Sequence, residues 1–185
     1  MRRSGSSLRP IKRGPLALTP GLTQHSWDMG AGAKKRTYLV VVDDSEEARV
    51  ALRFAARRAA KTSGSIEVLG VVEPQDFVQF GGVQAAIEEE QRLRIEGVVS
   101  SAIGEILDES GVEANIIIAQ GEGVKAVRDY VGERPDIAAL VLGAAPSGNP
   151  GPLVSSFCGT DAGKLPCPVM LIPGSLSDER LEQLS

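Results

Sequence analysis

The stretch that decides the fold runs from Ile137 to Thr160 and reads IAALVLGAAPSGNPGPLVSSFCGT. It begins with an uninterrupted apolar run, Ile137 to Leu142, which stops at Gly143 and gives way to a loop of glycine, proline and small polar residues. A buried strand that feeds a glycine-rich loop is where a parallel α/β sheet usually binds its ligand. The stretch therefore predicts a strand followed by a candidate phosphate site, although most loops of this composition are simple turns.

Four further apolar runs predict the other strands of the sheet. They cover residues 38–42, 66–72, 113–119 and 169–172. Apolar residues at helical spacing, together with cap residues and acidic first turns, predict four helices between the strands. They cover residues 45–62, 83–110, 124–131 and 155–164. Because strands that alternate with helices form a parallel sheet covered on both faces, we predict an α/β three-layer sandwich with a five-stranded parallel sheet.

One face of the first predicted helix carries four cations at intervals of four residues. This basic stripe consists of Arg49, Arg53, Arg57 and Lys61. A row of cations can bind an anion, but charged stripes on helices most often face solvent. We therefore interpret the basic stripe as a solvated face.

The charge of the chain is unevenly distributed. Residues 1–35 contain 7 Lys and Arg and 1 Asp, a net charge of +6, whereas residues 36–185 contain 13 Lys and Arg and 23 Asp and Glu, a net charge of −10. An acidic body with 4% aromatic residues does not suit nucleic acid, which needs a basic face and stacking platforms. No run of 18 apolar residues occurs, so we expect no membrane partner.

Composition divides the chain into three segments. Residues 1–35 are predicted to be a disordered basic tail, residues 36–174 the folded domain, and residues 175–185 a polar C-terminal tail that can form a helix. Three interpretations of the first segment stay open: a flexible basic arm, a targeting segment, or a non-native extension if translation begins at Met29. The single histidine, His25, lies in this tail, and no metal or histidine-based catalytic site is expected in the domain.

The folded segment resembles the universal stress protein family from Arg36 to Pro173. The resemblance rests on LVVVDDSEEARVAL (39–52), VLGVVEP (68–74), PDIAALVLG (135–143) and LPCPVMLIP (165–173). It implies an adenine nucleotide alpha hydrolase-like fold with strand order 3-2-1-4-5. It also implies a homodimer formed through the fifth strand, whose apolar edge would invite pairing in a monomer.

Nucleotide-binding members of this family carry the pattern Gly-x2-Gly-x9-Gly-(Ser/Thr) after the fourth strand. In this chain the first glycine is Gly143, Gly148 is the nearest substitute for the second, and Gly159-Thr160 is the last pair. The resemblance implies that Gly143, Gly159 and Thr160 contact the ribose and phosphates of a nucleotide.

The adenosine part of the nucleotide is assigned by the same resemblance to two other positions. They are Asp43, just past the first strand, and the backbone of Val71, at the end of the second. The implied ligand is ATP or another adenine nucleotide, bound with Mg²⁺.

The loop of this chain departs from the family pattern in ways that weaken phosphate binding. Pro146, Pro150 and Pro152 have no N–H group to donate. Asp161, directly after Thr160, is expected to repel a phosphate unless Mg²⁺ lies between them. The feature that survives is a predicted helix start at Gly159-Thr160, whose N–H groups suit an anion.

These observations predict a small cytoplasmic regulatory protein of the stress response that binds an adenine nucleotide at the loop after the fourth strand. The alternative is a nucleotide-free dimeric interaction module with a degenerate loop. We expect no enzymatic activity, because no nucleophile and base are paired and neither a His-x-Gly-His nor a Ser-Gly-Gly-x-Asp-Ser motif occurs.

Overall fold

The structure is a computed structural model that describes residues 35–74 and 81–185. Apart from Lys35, the predicted basic tail lies outside the described residues, and its three interpretations stay predictions. The strands are β1 (Thr37–Val41), β2 (Ser65–Val72), β3 (Ala114–Gln120), β4 (Ile137–Ala144) and β5 (Val169–Pro173). The α-helices of the described residues are α1 (Glu46–Lys61), α2 (Gly81–Ser110), α3 (Gly123–Glu133), α4 (Pro152–Ser155) and α5 (Asp178–Leu184).

The five strands form one parallel sheet with the order β3-β2-β1-β4-β5. This confirms the predicted fold class and the strand order implied by the family resemblance. The chain first winds outward from β1 to β3 and then crosses back to β4, so the winding reverses between β1 and β4. Parallel sheets bind ligands beyond the carboxyl ends of the strands at such a reversal.

The sheet has a hydrophobic core on each face, because successive residues of a strand point to opposite sides. On one face, Val40 and Val141 are fully buried in the core formed with α1 and α2. On the other face, Leu39 and Leu140 are fully buried in the core formed with α3 and Phe157. The domain therefore has the three layers predicted from the alternation of strands and helices.

The first helix begins where the sequence predicts. The Ser45 hydroxyl oxygen accepts a hydrogen bond from the backbone N–H of Ala48 at 3.3 Å. Glu46 and Glu47 follow in the first turn, where carboxylates stabilise the positive end of a helix. This cap fixes the direction in which α1 leaves the carboxyl end of β1.

Three of the four cations of the basic stripe pair with α5, so the interpretation of the stripe as a solvated face is wrong for Arg53, Arg57 and Lys61. Four ion pairs join the two helices: Arg53–Asp178, Arg57–Asp178, Arg57–Glu182 and Lys61–Glu182. Between these pairs, Leu181 of α5 is fully buried in the core that α1 shares with α2. The segment 175–185, predicted as a polar tail that can form a helix, contains a helix that packs on the domain.

A buried carboxylate ties the sheet to α3. Glu67 of β2 is 5% exposed and accepts hydrogen bonds from Arg134 Nη2 at 2.6 Å and Tyr130 Oη at 2.9 Å. Arg134 also donates to both carboxylate oxygens of Asp136, from Nε at 3.0 Å and Nη2 at 2.9 Å. Burial and the Glu67 carboxylate raise the pKa of Tyr130 to about 12. Both carboxylate oxygens of Glu67 accept a hydrogen bond, which a buried charge requires.

We expect Arg134→Leu to lower the free energy of unfolding by about 3 kcal/mol, because it leaves the Glu67 carboxylate buried without its cation. Urea denaturation measures this loss. The control is Arg92→Leu, which removes an exposed pair with Glu96 on α2 and should cost about 0.5 kcal/mol or less. Equal losses for the two variants would contradict the assignment.

Candidate functional site

Within the described residues, three clefts lie at the carboxyl ends of the strands, and Asp43 lines all of them. The α2 cleft, between the turn after β1 and helix α2, has a volume of about 580 Å³. The α3 cleft, between the ends of β1 and β2 and the start of α3, has about 300 Å³. The loop cleft, between the start of α1 and the loop after β4, has about 100 Å³. Small-molecule sites usually have about 300–1,000 Å³, so only the first two are large enough.

Asp43 is held in place by the turn that follows β1. Its Oδ1 atom accepts hydrogen bonds from Ser45, from the backbone N–H at 2.9 Å and from the hydroxyl at 2.5 Å. The second carboxylate oxygen takes no part in these two bonds, and the residue is exposed. Asp43 can therefore offer an oriented oxygen to a hydroxyl group of a ligand.

Val71, the second residue assigned to adenosine, lies with Asp43 in both larger clefts. Val72 and Ile95 provide further apolar surface in the α2 cleft, and Val41 and Val124 do so in the α3 cleft. The structure thus brings the two predicted adenosine contacts together, with apolar walls that suit the faces of a purine ring.

Arg94 of α2 is a site residue that sequence reasoning missed. Its Nη2 atom lies 2.5 Å from Oδ2 of Asp44, which belongs to the turn after β1. Both residues line the α2 cleft. Among the residues that line the three clefts, Arg94 is the single lysine or arginine. No sequence motif surrounds Arg94, which lies within a helix of 30 residues. Its position near the carboxyl ends of the strands is visible only in the folded structure.

The α3 cleft is acidic. Asp43, Glu73 and Glu122 line it together with apolar residues and without any lysine or arginine. The Glu73 carboxylate also accepts a hydrogen bond from the backbone N–H of Gly123, at 3.2 Å, in the first turn of α3. A helix N-terminus attracts anions, but here a side chain of the protein already occupies it. A phosphate would meet net repulsion in this cleft.

Gly143 is placed where a backbone needs room, at the contact between β4 and α1. A Cβ atom on Gly143 would lie 2.2 Å from the carbonyl oxygen of Glu47 and 2.9 Å from the backbone nitrogen of Ala48. Real Cβ atoms essentially never come so close to backbone atoms. Packing alone therefore explains a glycine here, and the residue reaches only the small loop cleft.

The remaining predicted site residues lie apart from the clefts. Gly148 adopts a φ of +76° in the loop after β4, a conformation that favours glycine. Gly159 and Thr160 are exposed, and none of the three residues lines the three clefts. Their predicted contacts with a nucleotide stay predictions.

The predicted helix start at Gly159-Thr160 coincides with a break in a helical segment, which resumes as a 3-10 helix at Ala162–Lys164. The helical segment begins earlier, at Pro152, after Gly151 with a φ of +102°. Gly159 itself has φ −112° and ψ −112°, which interrupts the helical turns that follow α4. Proline at the first helical position suits a helix start because its φ is already set near the helical value. The sequence signal for the start was therefore Gly151-Pro152.

Asp161 is the N-cap residue of a short 3-10 helix, Ala162–Lys164, and the expected repulsion of a phosphate by its carboxylate stays a prediction. Its oxygens accept hydrogen bonds from Ser156 Oγ at 2.7 Å, Lys164 Nζ at 2.9 Å and Arg128 Nη2 at 2.5 Å. These bonds from Ser156 and Lys164, with the charge of Arg128, hold the pKa of Asp161 at about 2. The carboxylate is ionised, neutralised and used to tie α3 to the segment after α4.

Comparisons with known proteins agree with the fold. The sequence matches the model of the Universal stress protein family over residues 35–173. The universal stress protein UspA from Lactobacillus plantarum gives a TM-score of 0.63 at 21% identity, over 76% of this chain and 99% of that chain. A universal stress protein family member from Burkholderia pseudomallei gives a TM-score of 0.60 at 19% identity, over 77% and 99%. At these identities the solved structures show the fold.

A third similar structure is the universal stress protein from Archaeoglobus fulgidus in complex with dAMP, with a TM-score of 0.51 at 20% identity over 75% of this chain and 98% of that chain. A comparison of the sequence with curated proteins gives no match. None of the described helices is both long enough and apolar enough to cross a bilayer.

We expect Gly143→Ala to destabilise the domain by about 1–3 kcal/mol, because the new methyl group forces α1 away from β4. Thermal or urea unfolding measures the change. Gly163→Ala is the matched control, since a Cβ atom at Gly163 meets no other atom within 4 Å. A Gly143→Ala variant as stable as the control would show that α1 and β4 can move apart without loss of stability.

Proposed function

Because the chain belongs to the universal stress protein family, we propose that it is a small regulatory protein that binds an adenine nucleotide at the carboxyl ends of its strands. One observation carries the proposal. The two clefts of about 580 and 300 Å³ share Asp43 and Val71, the residues that the family resemblance assigns to adenosine. The dAMP in the Archaeoglobus fulgidus relative supports the same ligand class.

The proposed contacts of the nucleoside follow from the chemistry of the cleft walls. The valines at the ends of the strands supply apolar surface for the base. The oxygen of Asp43 that is not bonded to Ser45 accepts a hydrogen bond from a ribose hydroxyl. A hydrogen bond to a charged group contributes about 1.5–3 kcal/mol, which is enough to change affinity by tenfold or more.

The phosphate end is the demanding part of the ligand, because the clefts are rich in carboxylates. Asp43, Asp44 and Glu73 line the α2 cleft, and Arg94, which is paired with Asp44, is the single lysine or arginine that lines it. A monophosphate needs one such partner, whereas a triphosphate carries several negative charges into an acidic site. Mg²⁺ is usually held by one or two carboxylates plus substrate phosphates, and these side chains fit that role. We therefore expect polyphosphates to bind as Mg²⁺ complexes.

Isothermal titration with AMP, ATP and ATP–Mg²⁺ tests the proposal. We expect AMP to bind without metal, and ATP to bind at least about tenfold more tightly with Mg²⁺ than without it. Asp43→Asn should weaken binding of AMP by about tenfold, because it removes the charge while an amide oxygen can still serve Ser45.

The matched control is Asp129→Asn on α3, which removes an exposed carboxylate paired with Lys125. It should leave the affinity unchanged. The proposal fails if no adenine nucleotide binds to the folded wild-type chain, or if Asp43→Asn and Asp129→Asn behave alike.

A second proposed property is self-association through β5. This strand is at one edge of the sheet and pairs only with β4 among the described strands. Leu171 in its centre is 44% exposed and presents apolar surface at this edge. An exposed edge offers free backbone N–H and C=O groups to a second chain. The family resemblance implies the same edge, and the property is compatible with nucleotide binding.

Sedimentation velocity at micromolar concentration tests the dimer. We expect a wild-type dimer that Leu171→Lys weakens by at least about tenfold, because the charge must be buried at the apolar contact. Ile116→Lys on the opposite edge strand β3 is the control, since Ile116 is also 44% exposed. A wild-type monomer, or dissociation by Ile116→Lys instead, would refute association through β5.

A further inference from the structure

Helix α5 lies beyond the part of the chain that matches the family, which ends at residue 173. It covers the face of α1 that carries the basic stripe. We propose that this face is a docking groove for an acidic amphipathic helix of a partner protein, and that α5 is a built-in occupant which the partner displaces. The groove is defined by the cations Arg53, Arg57 and Lys61 and the apolar residues Ala56, Ala60 and Ile106.

The side chains of α5 show which partner chemistry fits. Asp178, Leu181 and Glu182 occupy positions i, i+3 and i+4, so they share one face of the helix. Leu181 is fully buried, and the two carboxylates pair with the cations on either side of it. An apolar anchor flanked by acids on one helical face is a common pattern of helix-in-groove recognition.

The cations of the groove also bind the backbone of α5. Arg57 Nη1 donates to the carbonyl oxygen of Asp178 at 3.0 Å, and Lys61 Nζ donates to the carbonyl oxygen of Glu182 at 2.8 Å. Asp178 is the first residue of α5 and Glu182 lies in its last turn, and any helix presents backbone carbonyl oxygens at such positions whatever its sequence. These two bonds therefore select for a helix of this placement rather than for the α5 sequence alone.

Three features make α5 displaceable. It has seven residues, too few for a helix to hold without tertiary contacts, and Leu181 is its single buried residue. The carboxylates of Asp178 and Glu182 are 66% and 63% exposed, and ion pairs with such exposed partners are weak. Segments with few buried contacts open at a lower free energy than the core.

The groove is larger than its present occupant. A cavity of about 330 Å³ remains beside α5, lined by the three cations and by apolar residues of α1 and α2. A partner helix that fills this space would bury more surface than α5 does. The partner can bind only those chains in which α5 has left the groove. Its apparent affinity is therefore the intrinsic affinity multiplied by the fraction of chains with an uncovered groove.

The test uses the full chain and, as the probe, a fluorescent peptide of residues 175–185, SLSDERLEQLS. In the double variant Leu181→Asp/Glu182→Lys, the chain's own α5 is expected to undock while every groove residue stays unchanged. We expect this variant to bind the peptide at least about tenfold more tightly than the wild-type chain does, by fluorescence anisotropy.

Two matched changes locate the binding. Adding Arg57→Glu in the groove should abolish it, whereas adding Arg92→Glu, on α2 and absent from the groove lining, should leave it intact. A peptide in which the equivalents of Asp178 and Glu182 are lysine should not bind. A folded double variant that does not bind the peptide, or binding that survives Arg57→Glu, would overturn the proposal.

Hydrogen exchange of the wild-type chain gives an independent readout that does not depend on the variants folding. We expect the amides of α5 to exchange at least about tenfold faster than those of β1 and β4, because displacement requires local opening. Equal protection would identify α5 as a permanent part of the domain and overturn the proposal. A dimer abolished by Leu181→Asp would assign the groove to a second copy of the chain and overturn the partner assignment.

Discussion

The first turn of α1 rests directly on the end of β4, and the rest of this edge of the molecule depends on that contact. Two glycines make it possible: Cβ atoms would come within 2.2 Å of the Glu47 carbonyl at Gly143 and within 2.7 Å of the Glu47 side chain at Gly174. The first turn of α1 therefore packs between the ends of β4 and β5. Because Asp43 and Ser45 immediately precede this turn, the contact also fixes the walls of all three clefts.

This close packing leaves little room for a phosphate beside the loop after β4. Pro150 and Pro152 line the loop cleft without N–H groups to donate, and its volume is about 100 Å³. Space is instead found on the α2 and α3 sides of Asp43, where carboxylates outnumber cations. A ligand with low negative charge, or one that brings its own Mg²⁺, matches that distribution better than a bare polyphosphate does.

The parallel sheet could be predicted from the apolar runs that alternate with helical segments, whereas the strand order was implied by the family resemblance. Contacts between residues that are far apart in the sequence could not be predicted from it. Asp161 was expected at a helix start, but its partner Arg128 is 33 residues away, and no local pattern reports such a pair. Arg94 and Asp44 meet across 50 residues for the same reason. Leu181 stands among polar neighbours, so that its burial against α1 had no periodic signal.

Helix α1 carries both proposed activities, one at each end. Its N-cap residue Ser45 lines the α2 cleft, and its last three turns hold the cations that bind α5. Its 16 residues span about 24 Å, with Ala51, Ala55 and Ala59 fully buried against the sheet. Coupling between two sites requires an element with two arrangements that both ligands bias. A helix packed along its whole length offers one arrangement, so the two sites should act independently, and undocking of α5 should leave the nucleotide clefts unchanged.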